Sequence, residues 1–249
     1  MWDLDEYVVR WDSKDLVVAL DTKNPTGGVN SISALGSHLI GACILQLHPP
    51  QENDGFAVVH EPYARGKDVV ASYAATASDA VRSQAYWRYQ QFRLEHGLAV
   101  GIELIVSVQT NLLDSDPSVL VVTTIRCDEV WGCSDMDRSQ FEPLSLVAQR
   151  PLDWTAEVAR TVHLFRPPDV DVSYVEIVHE QDFRAAQMEL SANTPRTIRC
   201  KTTLFNERLE KGVIRRGRVW GMFVPRCNDF RSAVACAQQV AAARPPLTT

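Results

Sequence analysis

The sequence predicts a mainly β protein, built as one large antiparallel β-sandwich with an α-helix at its C-terminus. Short runs of β-branched and aromatic residues recur along the chain, and clusters of Asp, Asn, Gly, Pro and Ser separate them. Between 100 and 108 every second residue is Val, Ile or Leu, which is the period of a strand with one buried face. No long helical pattern separates the runs before residue 229, so antiparallel connections are favoured over βαβ units.

The first block of predicted strands covers residues 1–127. The polar segment Asp12–Asp15 between two apolar runs predicts a hairpin. Breaks at Ser78–Asp79 and Glu95–Gly97 divide the later part of the block into the strands of a meander. The predicted strands of this block are 7–11, 16–20, 37–47, 68–76, 81–92, 100–110 and 119–127.

The second block covers residues 169–226 and follows a connecting segment, 128–168, in which the alternating pattern lapses. Within that segment, Trp154–Phe165 fits either a short helix or another strand. We expect both blocks to belong to a single large domain, 1–249. The predicted strands of the second block are 174–179, 184–190, 197–204 and 212–224.

The C-terminal helix is predicted at 229–243. Asp229 is the predicted N-cap, because its side chain can accept a hydrogen bond from the first helical turn. Apolar residues then recur at i, i+3 and i+4 spacings in an alanine-rich run. Pro245–Pro246 ends the pattern, since proline cannot continue a helix.

Composition excludes several classes of protein. With 45% hydrophobic and 22% charged residues, a chain of 249 residues can bury a core without disulfides or metals. A net charge of −6 argues against nucleic-acid binding, which draws its affinity from clustered Lys and Arg. The N-terminus lacks the basic and apolar regions of a secretory signal, and the apolar run 39–47 is too short to span a bilayer. We therefore expect a cytoplasmic protein with no membrane partner, and its oligomeric state is left open.

No cofactor and no metal ion is predicted. The six cysteines show no CxxC spacing, and the six histidines lie far apart in the chain. Cys127 and Cys133 are the only close pair of cysteines, so a disulfide or half a metal site there stands beside the alternative of six reduced thiols. The glycines of Asn24–Gly28 lack the Lys-Ser or Lys-Thr of a phosphate loop, and no GxSxG is present.

A glutamate in an apolar strand is the first candidate site residue. Strand alternation places Tyr174, Glu176 and Val178 on one face and His179 on the other. Glu176 is interpreted either as the floor of a polar, substrate-binding cleft or as part of the solvated side of an amphipathic strand. His179 is interpreted as a hydrogen-bonded core histidine rather than a ligand.

A second candidate group lies between 82 and 90. Alternation places Arg82, Tyr86 and Arg88 on one face, together with Gln84 and Gln90. Aromatic rings stack on the C–H patches of sugars while Arg and Gln reach hydroxyl groups, so this face suits a carbohydrate. A solvent-exposed sheet face is the alternative.

A third candidate group is basic. Arg216 and Arg218 share a strand face with Trp220, and Glu207 and Glu210 precede them. These charges could form an ion-pair network on a solvated face, or a rim that binds a phosphate or carboxylate. The predicted substrate-binding set is therefore Arg82, Tyr86, Arg88, Glu176, Arg216 and Arg218.

Two resemblances follow from these segments. The stretch Leu209–Arg226, together with Asp68–Tyr73 and Tyr86–Arg88, resembles an uncharacterised protein family of environmental bacteria. The succession of antiparallel strands is also similar in outline to the supersandwich folds of sugar mutarotases and polysaccharide-processing enzymes. The second resemblance implies a large sandwich and carries no catalytic residue.

Two functional hypotheses result. The first is a β-sandwich that binds or processes a carbohydrate or a small anionic ligand on one sheet face, and it requires the predicted residues to converge in one cleft. The second is a non-catalytic structural or interaction protein that uses exposed aromatic residues such as Trp2, Trp11 and Trp131. Whether the protein is an enzyme is left open.

Overall fold

Two antiparallel β-sheets face each other in the computed structural model, and a helix ends the described chain, which confirms the predicted class. The structure describes residues 1–48, 56–75, 81–115, 117–135, 140–156, 161–191 and 196–243.

In chain order the strands are β1 (Trp2–Asp5), β2 (Val8–Asp12), β3 (Leu16–Asp21), β4 (Val29–Ala34), β5 (Ser37–Leu39), β6 (Cys43–His48), β7 (Phe56–Arg65), β8 (Asp68–Ala75), β9 (Val81–Leu94), β10 (Gly97–Thr110), β11 (Val119–Arg126), β12 (Glu129–Asp135), β13 (Gln140–Pro143), β14 (Leu152–Thr155), β15 (Val162–Arg166), β16 (Val172–Val178), β17 (Ala185–Leu190), β18 (Thr197–Phe205) and β19 (Ile214–Pro225). The helix is α1 (Asp229–Ala242).

Sheet I has the strand order β1-β2-β3-β4-β6-β11-β18-β17-β14, with β5 paired to β4. Sheet II has the order β13-β12-β15-β16-β19-β10-β9-β8-β7. The predicted hairpin forms between β2 and β3, and β8, β9 and β10 form the predicted meander. The next strand, β11, crosses to sheet I, and the second block also divides between the sheets. The two strand blocks of the sequence therefore do not correspond to the two sheets.

Two elements differ from the sequence prediction. The predicted strand 37–47 is two strands, because the chain turns at Gly41, which has φ +71°. The described part of the connecting segment 128–168 contains the strands β12 to β15, and β13 and β14 have only four residues each, too few to show a clear period. Of the segment Trp154–Phe165, which fitted either a helix or a strand, Trp154 and Thr155 lie in β14 and 162–165 lie in β15, whereas 157–160 lie outside the described residues. The predicted breaks at Ser78–Asp79 and Pro245–Pro246 lie outside the described residues.

The main core lies between the sheets. Trp87 and Leu104 from sheet II and Ile44 and Val121 from sheet I are fully buried there. Burial of each such side chain contributes roughly 1.5–3 kcal/mol, so this interface is the main source of stability. Its residues come from both strand blocks.

Helix α1 packs on the outer face of sheet II. Its Ala233 and Val240 belong to a second apolar cluster with Val175, Trp220 and Met222 of β16 and β19. The helix also contacts β15, one end of β9 and the start of β10, so it covers one outer region of sheet II. No described helix is long and apolar enough to cross a membrane.

The prediction that Asp229 is the N-cap of this helix is wrong. Asn228 is the N-cap residue, and Asp229 is the first residue of the helix. The buried Asp229 carboxylate accepts hydrogen bonds from Arg166 Nε at 2.9 Å and from Ser173 Oγ at 2.6 Å. It therefore ties the start of the helix to β15 and β16.

Candidate functional site

A polar face runs across the outer side of sheet II. Along β9, Trp87 points into the core with no exposed surface, whereas Arg82, Gln84 and Tyr86 point outward. Because strand residues alternate between the faces, the outward set is the one that sequence periodicity grouped together.

The strand register extends this face onto the neighbouring strands. Gln84 lies opposite Ser72 of β8 and Ser107 of β10, and Ser107 lies opposite Arg216 of β19. Arg82 lies opposite Gln109. The residues enclose a cleft of about 300 Å³, which we call the outer cleft. Its described lining is His60, Ser72, Tyr73, Arg82, Ser83, Gln84, Tyr86, Ser107, Val108, Gln109, Ile214 and Arg216.

Hydrogen bonds hold several of these side chains in place. Tyr86 Oη donates to Gln84 Oε1, and Gln84 Nε2 donates to Ser72 Oγ at 3.1 Å. Arg216 Nε donates to Ser107 Oγ at 3.3 Å. Partial burial, and secondarily the neighbouring Tyr63, raises the pKa of Tyr86, so its phenol is a hydrogen-bond donor at neutral pH. The lining thus presents an oriented ring surrounded by hydroxyl, amide and guanidinium groups.

Arg88 is next to the outer cleft but is engaged elsewhere. Its Nε and Nη2 atoms donate to the two carboxylate oxygens of Asp68 at 2.7 and 3.0 Å. Glu103, on the adjacent strand, is buried and accepts a hydrogen bond from Gln90 Nε2 at 2.6 Å. Burial raises the pKa of Glu103, and the hydrogen bond and nearby Arg88 oppose that rise.

Arg218 is also engaged in an ion pair. Only 4% of the residue is exposed, and its Nε donates to Asp182 Oδ2 at 3.0 Å. The guanidinium lies 5.0 Å from the ring centroid of Trp220. Glu207 similarly binds Arg184 at 2.7 Å. Of the two interpretations of the basic group, the ion-pair network describes Arg218, whereas Arg216 lines the outer cleft.

Glu176 lies between the two sheets and fits neither sequence interpretation. It is 1% exposed, because the face it shares with Tyr174 is turned toward sheet I. Its carboxyl accepts hydrogen bonds from the hydroxyls of Thr123 at 2.5 Å, Tyr174 at 3.1 Å and Thr202 at 3.4 Å. Burial raises the pKa of Glu176 above its ordinary value, and the hydrogen bonds from these hydroxyls oppose that rise. The strand alternation was correct, but the sequence could not show that polar groups of the opposite sheet satisfy this face.

Gly221 makes room for this buried group. It lies opposite Glu176 on β19, and a Cβ atom there would be 2.6 Å from Tyr174 Oη. The absence of a side chain at this position allows the tyrosine to lie against the backbone and donate to the carboxyl.

Three of the six predicted binding residues, Arg82, Tyr86 and Arg216, line the same cleft. Arg88 and Arg218 lie in ion pairs outside its described lining, and Glu176 lies inside the sandwich, so the full convergence that the carbohydrate hypothesis required is not found. His179 lines a separate cleft beside the helix, where its Nδ1 accepts a hydrogen bond from the Gln181 backbone at 3.2 Å.

Several residues that line the outer cleft were not among the predicted site residues. Ser107 and Gln109 alternate with the buried valines of β10, so periodicity could have assigned them to the outer face. Ser72 and His60 could be found only from the pairing of β7, β8 and β9.

The six cysteines form no disulfide and take part in no cluster of metal ligands among the described residues. Cys127 Sγ donates to the backbone oxygen of Glu129 at 2.7 Å. Within the described ranges, no three His, Cys, Asp or Glu side chains converge as metal ligands would.

A scan against protein-family models gives no match, and a search of curated proteins gives none either. The resemblance to a family of environmental bacteria therefore has no support from these comparisons.

Solved structures share the fold. The α-N-acetylgalactosaminidase NagBb from Bifidobacterium bifidum, in complex with Gal-NHAc-DNJ, superimposes with a TM-score of 0.55 at 13% identity, covering 99% of this chain and 40% of that one. The 4-α-glucanotransferase from Thermococcus litoralis superimposes with a TM-score of 0.50 at 8% identity, covering 87% of this chain and 37% of that one. The chain thus spans about two fifths of these proteins. At such identities the likeness establishes the fold alone.

A solved structure described as a mutarotase-type enzyme also has a similar outline. A candidate aldose 1-epimerase from Klebsiella pneumoniae subsp. pneumoniae superimposes with a TM-score of 0.48 at 8% identity, covering 97% of this chain and 87% of that one.

Proposed function

We propose that the protein binds a carbohydrate in the outer cleft. The observation that carries this proposal is the convergence of a half-buried tyrosine ring with hydroxyl, amide and guanidinium groups from four strands of sheet II. A sugar-binding site must make two kinds of contact. The C–H faces of the sugar pack on aromatic rings, and its hydroxyls both donate and accept hydrogen bonds. The two solved enzymes of the same fold, a galactosaminidase and a glucanotransferase, act on carbohydrates, which adds support of an architectural kind.

Each type of contact has a residue in the lining. Tyr86 supplies the ring, and its bond to Gln84 fixes the orientation of both side chains. Ser72 and Ser107 supply hydroxyl groups, and Gln109 supplies an amide. Oriented polar groups lose little conformational entropy on binding, which favours affinity.

The proposal is one of binding rather than processing. Acid–base work on a glycosidic bond commonly uses two carboxyl groups on either side of it. The described lining of the outer cleft contains no carboxyl group, and on the adjoining strand positions Asp68 binds Arg88 and Glu103 is buried beside Gln90. Glu176 is enclosed between the sheets.

The interaction-domain hypothesis receives less support. It required exposed tryptophans, but Trp2 and Trp11 are 5% and 7% exposed and pack in the main core. Trp131 is half-buried and packs against Phe230 at a ring-centroid distance of 5.0 Å. We further propose a cytoplasmic location and a single domain, as the sequence predicts.

A glycan array followed by titration calorimetry tests the proposal. Tyr86→Ala removes the ring and is expected to weaken the affinity for the selected glycan roughly tenfold. Tyr86→Phe keeps the ring and is expected to retain more of the affinity. The matched control is Tyr7→Ala, which removes a half-buried tyrosine that does not line the cleft. Equal affinities for the wild type and Tyr86→Ala would contradict this location for the site.

A further inference from the structure

An exposed tyrosine stands beside the outer cleft on an edge strand. Tyr63 belongs to β7, which ends the strand order of sheet II, and 51% of the residue is exposed. It follows three residues after His60, which lines the outer cleft. The surface of the cleft therefore continues along β7 to an aromatic ring that the described lining does not include.

The strand register places Tyr63 on the same sheet face as Tyr86. Tyr63 lies opposite Val70 of β8, and Val70 lies opposite Tyr86 of β9. Directly opposed residues of antiparallel strands point to the same face. Because Tyr86 points outward, Tyr63 points outward too. The two tyrosines form one row across the sheet, next to the row that contains His60 and Ser72.

A β-bulge in β7 brings both His60 and Tyr63 to this face. From His60 to Tyr63 the chain advances three residues, whereas the paired segment of β8 advances two. In a regular strand, residues three apart would point to opposite faces. The intervening Pro62 is buried, as suits a residue that can stand only on an edge strand or at a bulge. The irregularity thus directs the tyrosine outward, a use of bulges that is common beside binding sites.

The two tyrosines are near each other but not in reach of one sugar ring. Burial is the main cause of the raised pKa of Tyr86 and the phenol of Tyr63 is the next, so the two hydroxyl groups lie close together. Two strand spacings separate their Cα atoms by about 10 Å. Val70 lies between them and is only 2% exposed, so side chains of this face cover it. A pyranose is about as wide as a phenol ring, and one that stacks on Tyr86 leaves Tyr63 available to the next unit.

We propose that Tyr63 is a second aromatic contact of the carbohydrate site, and that the ligand is an oligosaccharide that extends from the outer cleft across Val70 to the edge of sheet II. This inference rests on the proposed function and names its ligand class. An exposed ring on the edge strand presents an apolar surface to the C–H face of a sugar unit that projects from the cleft. A monosaccharide in the cleft does not reach this ring.

A glycan array followed by titration calorimetry tests this inference. The array carries glucose, galactose, mannose and N-acetylglucosamine, each as a monosaccharide and as its linear disaccharide and trisaccharide. Calorimetry then compares the three lengths of the sugar that gives the strongest signal. We expect the trisaccharide to bind at least about tenfold more tightly than the monosaccharide, because it adds a second stacking contact.

Variants assign the gain in affinity to one ring. Tyr63→Ala is expected to lower the affinity for the trisaccharide about tenfold and to change that for the monosaccharide little. Tyr63→Phe keeps the ring and is expected to retain most of the gain. Tyr86→Ala should weaken the binding of both lengths, because it removes the ring inside the cleft. The matched control is Tyr7→Ala, which removes a tyrosine between β1 and β2 of sheet I, and thermal unfolding of each variant checks that the fold is kept.

The outcomes distinguish the two proposals. Equal affinities for the monosaccharide and the trisaccharide overturn the second contact and leave carbohydrate binding intact. A trisaccharide affinity that Tyr63→Ala does not change has the same consequence. An equal loss of affinity for both lengths in Tyr63→Ala also overturns the second contact, since the ring would then bind the first sugar unit. If no glycan of the array binds, both proposals are overturned.

Discussion

The carboxyl of Glu176 provides the sharpest test of the structure, because it is enclosed between the sheets with hydroxyl partners and no cation among its hydrogen-bond partners in the described residues. The perturbation is Glu176→Gln, which preserves the size of the side chain, one acceptor oxygen and a donor. A protonated carboxyl and an amide are both neutral. At pH 5 we therefore expect the free energies of unfolding of the variant and the wild type to agree within about 1 kcal/mol.

The pH dependence of stability distinguishes the wild type from the Glu176→Gln variant. Burial raises the pKa of Glu176 in the folded state above 4.5, the ordinary value that applies in the unfolded chain. Between these two values the folded protein holds a proton that the unfolded chain has lost. The contribution of this group to stability is full below the unfolded pKa, and it is lost as the pH rises through the folded pKa. Within this window the wild type loses about 1.4 kcal/mol per pH unit, and the glutamine variant does not.

Urea unfolding followed by tryptophan fluorescence from pH 5 to 9 measures this difference. Subtracting the two curves cancels every other titrating group, including Glu103, whose pKa is also raised by burial. The variant is expected to become the more stable protein at alkaline pH. Parallel curves over the whole range would refute a buried, protonated Glu176.

A second variant tests the hydrogen bonds themselves. Glu176→Leu fills a similar volume but offers no acceptor to Thr123, Thr202 and Tyr174. Each buried hydroxyl left without a partner costs about 1–3 kcal/mol. Because the hydroxyls of Thr123 and Tyr174 lie 3.5 Å apart and one can donate to the other, two hydroxyls lose their acceptor and the variant is expected to lose about 2–6 kcal/mol at pH 5. It should share the flat pH response of the glutamine variant. A leucine variant as stable as the wild type at pH 5 would show that these hydroxyls do not depend on the carboxyl.

Three further predictions concern packing, the helix and the thiols. Gly221→Ala places a Cβ atom 2.6 Å from Tyr174 Oη and is expected to lower stability by about 1–3 kcal/mol, measured by urea unfolding; an unchanged midpoint would contradict the close approach. Asp229→Asn removes the charge that pairs with the partly exposed Arg166 of β15 at 2.9 Å, and the free energy of unfolding is expected to fall by about 1–3 kcal/mol. Amide hydrogen exchange should increase most in α1, and an equal increase throughout the protein would contradict the role of Asp229 in holding the helix. Burial raises the pKa of Cys127 to about 12, so iodoacetamide at pH 8 is expected to label exposed Cys227 and to spare Cys127 until the protein unfolds; early labelling of Cys127 in a mass spectrum would contradict its burial.

Local patterns determined much of the fold. The alternation of valine, isoleucine and leucine along β10 identified a strand with one buried face, and the structure pairs it with β9 along fourteen residues. The spacing of apolar residues after 229 similarly identified α1. Such signals are local, because a side chain's direction depends on its position within one strand or one helical turn.

The shorter strands were harder to predict for the same reason. β13 and β14 have four residues each, and a period of two cannot be distinguished from chance over that length. Their strand conformation depends on pairing with β12 and β17.

The candidate site shows where local information ends. Periodicity correctly grouped Arg82, Tyr86 and Arg88 on one face, but only the strand register showed that Arg216 reaches the same cleft and that Arg88 is held by Asp68. For Glu176, alternation identified the face, and only the packing of sheet I against it decided that the face is buried. The sequence by itself therefore determined the β class, the main long strands, the C-terminal helix and which side chains share a face. The tertiary structure decided which face meets the other sheet and which distant residues meet, because burial and charge pairing depend on contacts between strands far apart in the chain.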